Sequence, residues 1–144
     1  MKRQNGLRLC TASMLLCLLL CGCELTNASN ESSLEETMWR LEAIESIEGE
    51  VIFTPPSAEN YWIDFIAPDS VEGQDHCNTC WGTYELGSEG AISFSLVCTE
   101  IACGIGYGFI LSDATTYELK DGQLRISYSM RGNEGVLVHR EESR

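Results

Sequence analysis

The sequence predicts a mainly β (α+β) domain: a small antiparallel curled sheet or barrel of about seven to eight strands, with at most one short helix. Three observations carry that expectation. From Met38 onward, short runs alternate apolar with polar residues, the period of half-buried strands. The runs are separated by turn chemistry, as at Gly87-Ser88-Glu89-Gly90 and Asp121-Gly122, which suits hairpins. The chain of 144 residues shows no internal repeat and no second domain, so it is one domain plus accessories.

The elements follow in order. Trp39, Leu41 and Ala43 alternate with Arg40 and Glu42, which makes a first strand with those three apolar residues facing inward. Val51-Ile52-Phe53 is a short apolar run ended by Pro55-Pro56, so it is an edge strand or a loop. Residues 61–66 form the next strand, with Tyr61, Ile63 and Phe65 on one face. Val71-Glu72-Gly73-Gln74 then leads into a cysteine-bearing turn, Asp75-His76-Cys77-Asn78-Thr79-Cys80. Residues 81–86 and 91–97 read as a hairpin, with Ile92, Phe94 and Leu96 inward and Trp81 packed as core on the cysteine sulfurs. Gly104, Gly106 and Gly108 alternate in poor helix material, which confines any helix to residues 109–115. Residues 117–120, 123–129 and 135–139 form a closing meander, its first turn a type I′ Asp121-Gly122. His139 falls at the frayed end of that meander.

The N-terminus is a targeting segment. Lys2, Arg3 and Arg8 precede an apolar run over residues 9–20, too short to span a bilayer comfortably. It ends in Leu20-Cys21-Gly22-Cys23, which resembles a bacterial lipobox. The implied chemistry is thioether attachment of diacylglycerol to the Cys23 sulfur, cleavage before Cys23, and N-acylation of the new amine, an anchor of several acyl chains. Residues 1–22 are therefore expected to leave as a lipoprotein signal peptide, taking Cys10, Cys17 and Cys21 with them. Glu24 rather than Asp follows, which by the usual sorting rule favours the outer membrane, on its periplasmic or surface face. Residues 23–37 are poor in apolar side chains and read as a flexible tether. The domain is expected over 38–140, and 141–144 as a C-terminal tail.

Removing residues 1–22 takes away three basic residues and no acidic one, which leaves six basic against 22 acidic residues, a net charge of −16. Such a chain repels phosphate backbones, which excludes nucleic acid as a partner. Twelve aromatic residues suffice for one modest core.

Four cysteines remain in the domain, as Cys77-x2-Cys80 and Cys98-x4-Cys103. That spacing is near a zinc ribbon. It also allows two disulfides crossing from the first pair to the second, closing loops of about 20 to 25 residues, each stabilising by roughly 3 kcal/mol in the chain-entropy account. Export favours the disulfides, because thiols oxidise outside the cytosol. Thiol-redox use of Cys77 and Cys80 would call for a helix N-terminus, whereas Gly82-Thr83-Tyr84 continues as a strand. His76 is expected as an exposed turn residue, since no nucleophile accompanies it, and Asp75 and Asn78 as turn formers. The glycines at 104, 106 and 108 lack the basic residue of a phosphate loop.

The ordered landmarks resemble the META/HslJ family of small bacterial envelope proteins. They are Trp39-Arg40-Leu41, Gly73, Cys77-Asn78, Gly82-Thr83-Tyr84, Gly90-Ala91-Ile92, Thr99-Glu100-Ile101-Ala102-Cys103, Phe109 and Leu111, Tyr117, Gly122-Gln123-Leu124 and Gly135-Val136-Leu137. The resemblance spans roughly residues 38–140. It implies no catalytic residue and a link to envelope stress and drug tolerance. Cys80 and Cys98 are additions to the family's pair at Cys77 and Cys103. The family pair together with a nested hairpin implies Cys77–Cys103 and Cys80–Cys98. The functional expectation is a membrane-anchored, non-enzymatic envelope lipoprotein. It would carry no metal and no cofactor beyond the lipid on Cys23, and its partner would be an envelope protein or small molecule. The alternative is a zinc-binding or thiol-redox envelope protein.

Overall fold

The computed structural model describes residues 34–101 and 105–142. Cys23, Cys103 and the expected signal peptide lie outside them. Among the described residues are nine strands and one α-helix, arranged as the sequence predicts for a curled antiparallel sheet. The strands are β1 (Met38–Ser46), β2 (Val51–Phe53), β3 (Tyr61–Ile66), β4 (Ser70–Asp75), β5 (Asn78–Leu86), β6 (Ile92–Cys98), β7 (Ala114–Lys120), β8 (Gln123–Met130) and β9 (Asn133–Glu142). The helix α1 is Tyr107–Ser112. Eight strands run in the order β6-β5-β4-β3-β1-β9-β8-β7, and β2 pairs with β1 off this path. The two ends of the sheet curl toward each other, meeting in an isolated bridge between Ala91 and Thr116.

The curl wraps one side of the sheet around the core. Inward rows run across strands, one through Leu41, His139 and Leu124 and another through Ile44, Leu137 and Ile126. Trp39, Leu41, Phe65, Leu124, Ile126 and Leu137 are completely buried. Each such side chain stabilises by about 1.5–3 kcal/mol relative to an exposed one. Asp121 and Gly122 both take positive φ, as a type I′ turn requires, and Arg131 and Gly132 repeat that geometry between β8 and β9,. The second turn lacks the Asn-Gly or Asp-Gly signature that makes the first legible.

The structure departs from the sequence reading in four places. The β1–β9 register shifts between Leu41 and Ala43, so Ile44 rather than Ala43 is the third inward residue. A bulge adds one residue to one strand and inverts the alternation beyond it. The helix begins two residues earlier than expected, at Tyr107, with Gly106 in the left-handed region as its N-cap. Leu34, inside the expected tether, is buried in the core, and the Glu36 amide donates to the Phe65 carbonyl at 2.8 Å. At the other end β9 continues through Glu142, pairing with Met38.

Candidate functional site

The cysteine turn and the loop after β6 form one corner of the molecule. Cys80 and Cys98 are direct partners across β5 and β6. They are joined by a disulfide with Cα atoms 4.1 Å apart. Cys77 is disulfide-bonded as well. A sulfur held in a disulfide offers no thiolate to zinc.

The bonded sulfurs face α1, not Trp81. A Cβ added at Gly108 would sit 2.5 Å from Cys80 Sγ and 2.7 Å from Cys98 Sγ. The glycine that weakens the helix by propensity is thus what lets the helix lie on the disulfide. Tyr107, Gly108 and Leu111 of α1 cover Ile63, Gly73 and Cys80, leaving a cavity of about 10 Å³, room for one water at most. Trp81 points the other way and is 48% exposed, so its expected place on the sulfurs is corrected. Residues alternate faces along a strand, and Cys80, its neighbour, holds the inward position.

Asn78 ties the corner together. Its carboxamide donates to Asp75 Oδ1 at 3.1 Å and to the Ile101 carbonyl at 3.0 Å. Its oxygen accepts from the Ile101 amide at 2.7 Å and from Thr99 Oγ1 at 3.1 Å. These four bonds use both donors and both lone pairs of the carboxamide. Asn78 is therefore the buried anchor of a loop 23 residues away, and the buried Asp75 holds its carboxamide, so both do more than the turn forming the sequence suggests. His76 is exposed, with φ of 47°. Its ring stacks on Tyr61 at 6.3 Å between centroids.

A second polar cluster lies in the core. His139, expected at a frayed end, is fully buried in β9. Its Nδ1 lies 3.2 Å from the Leu124 carbonyl, to which it can only donate, so Nε2 accepts from Tyr107 Oη at 2.7 Å. Burial lowers its pKa to about 4, against the opposing pull of the Leu124 and Leu137 backbone, so the ring is neutral. Tyr107 is pushed well above the usual phenol range by burial and then by the charge of Asp75. Both ring nitrogens are occupied and sealed from solvent, so His139 is a structural linchpin between α1 and β9, not an available base. A lone histidine near the C-terminus gave no sequence signal of this; only its inward position in the Leu41–Leu124 row could have. Among the described residues, no group of three or more His, Cys, Asp or Glu side chains is arranged to hold a metal ion.

The family model for the META domain matches residues 32–142. This chain belongs to the META domain family. The matched span takes in Leu34 and the end of β9, the two features that extend the folded unit beyond the sequence-based limits. Solved structures share the META-domain fold seen here. One is the NMR structure of a protein from Burkholderia xenovorans, with TM-score 0.55 and 21% identity, covering 77% of this chain and 85% of that one. Another is the crystal structure of a DUF4847 family protein from Bacteroides vulgatus, with TM-score 0.57 and 13% identity, covering 76% and 94%. At these identities the likeness is one of fold. No curated protein matches the chain.

Proposed function

We propose that this META domain is a lipid-anchored, non-enzymatic binding module of the bacterial cell envelope. The observation that carries the reading is the Cys80–Cys98 bond, beside a Cys77 that is also disulfide-bonded. Disulfides persist in exported proteins and are rare in the cytosol. The lipobox-like Leu20-Cys21-Gly22-Cys23 points to the same compartment. A non-enzymatic role fits a site whose buried histidine has both nitrogens engaged and whose exposed His76 stacks on the Tyr61 ring. Glu24 after the lipidated cysteine favours the outer membrane.

Intact-mass analysis of the unreduced protein, taken from the membrane fraction of a bacterial host, tests this. The expected product lacks residues 1–22, carries diacylglycerol and an N-acyl chain on Cys23, and has no free thiol in the domain. Cys23→Ser should move it out of the membrane fraction. A full-length, unacylated cytoplasmic product with reduced sulfurs or stoichiometric zinc overturns the reading in favour of a metal or thiol function.

A further inference from the structure

We propose that the outer face of β3–β6, centred on Trp81, docks a cationic peptide segment that carries Lys or Arg beside apolar residues. This deepens the binding-module reading and rests on it. Trp81 stands mid-strand on β5, 48% exposed, and Val97 opposite it on β6 is 60% exposed. On its other flank Trp81 pairs with Glu72 of β4, which pairs in turn with Asp64 of β3. One cross-strand row thus presents the exposed Glu72 carboxylate, an indole and an aliphatic side chain, with the half-buried Asp64 beyond Glu72. Thr79, Thr83 and Ser95 around it are small and polar, so on β5 and β6 the exposed apolar surface of this face lies at Trp81 and Val97, while β3 adds Ile66 and the half-buried Trp62.

Charge decides what could cover the row. No Lys or Arg occurs between Arg40 and Lys120, so β3–β6 carry no cation. Arg40, which pairs with Trp62 across β1 and β3, is held by Glu142 Oε2 at 2.6 Å and donates to the Ala58 carbonyl at 3.3 Å. An ammonium or guanidinium over the indole, with a carboxylate beside it, gains both cation–π and Coulomb attraction. A neighbouring apolar side chain of the same peptide would cover Val97. Anionic partners are repelled. A neutral glycan could stack on Trp81 but would make no use of Glu72.

Calorimetric titration of the full chain with two synthetic peptides of equal length, one alternating Leu with Lys and the other Leu with Glu, tests the proposal. A neutral chito-oligosaccharide is the third probe. The Lys peptide alone should bind, more weakly as salt rises. Trp81→Ala should weaken it by about tenfold or more. Glu72→Lys should weaken it several-fold, while Glu134→Lys, the same charge change at the exposed start of β9, should stay within about twofold,. All three sites are exposed, so unchanged urea midpoints would verify the fold. Equal binding of both peptides, binding of the sugar alone, no binding, or losses indifferent to Trp81 and Glu72 would each overturn the docking surface. None of these outcomes bears on lipidation, which the mass analysis reads separately.

Discussion

From β3 to β6 the sheet contains no Lys or Arg and is cross-linked by the Cys80–Cys98 bond. From β7 to β9 it contains no Cys. Here salt bridges tie it to β1: Arg125–Glu45 at 2.7 Å and Arg140–Glu42 at 3.3 Å. The β7–β9 half consists of two tight hairpins whose strands follow one another directly, so its pairing is local and closes at little entropic cost. The β5–β6 corner must hold a loop and a six-residue helix, too short to be stable by itself. The strands β3 to β6 are consecutive hairpins as well, so what the covalent bond and the Asn78 network add there is the fastening of that loop and helix to the sheet. The comparison teaches that exposed ion pairs and disulfides are not equivalent ties. A half-exposed pair is worth under about 1 kcal/mol, so the β7–β9 half must rest on its buried rows and on His139.

The largest effect should come from the cystine. Replacing Cys80 and Cys98 together by Ala is expected to cost about 3 kcal/mol in urea denaturation. In the disulfide-bonded protein, Gly108→Ala should cost about 1–3 kcal/mol by overpacking, and in the Cys80→Ala/Cys98→Ala background that cost should largely vanish, because the sulfurs it strikes are gone. An unchanged Gly108→Ala penalty would mean that the helix is not seated on the disulfide.

Next is acid sensitivity at the other end. His139 has a folded pKa of about 4, below an unfolded value of about 6.5. The unfolded chain therefore binds the extra proton first. Stability from this group is complete above about pH 6.5 and declines as pH falls toward about 4, by as much as about 3 kcal/mol. His139→Gln should flatten this decline when urea midpoints at about pH 7.5 and about pH 4.5 are compared, leaving the contribution of the carboxylates. A variant as acid-sensitive as the parent would place the proton uptake elsewhere. The smallest effect should be that of the ion pairs. Arg125→Ala and Arg140→Ala should each lower stability by less than about 1 kcal/mol, with Arg140, the more exposed, at the lower end,. Losses near those of the cystine variant would erase the contrast between the halves.

The sequence by itself determined the β class, the inward faces of β3 and β6, the Asp121-Gly122 turn and the family. Each of these follows from local information: a period of two, a residue type that tolerates positive φ, a run of ordered landmarks. Tertiary structure alone decided the rest. The bulge that exchanges Ala43 for Ile44 is set by pairing with β9 and leaves no trace in the composition of β1. Gly108 reads as a helix breaker until two sulfurs are seen against it. Trp81 reads as core because tryptophan usually is, but the pleat gives the inward place to Cys80. His139 became a buried, neutral hydrogen-bond partner because Tyr107, 32 residues away, is folded onto it. Contacts between residues distant in sequence depend on the closed geometry of the whole sheet, and no local pattern encodes that.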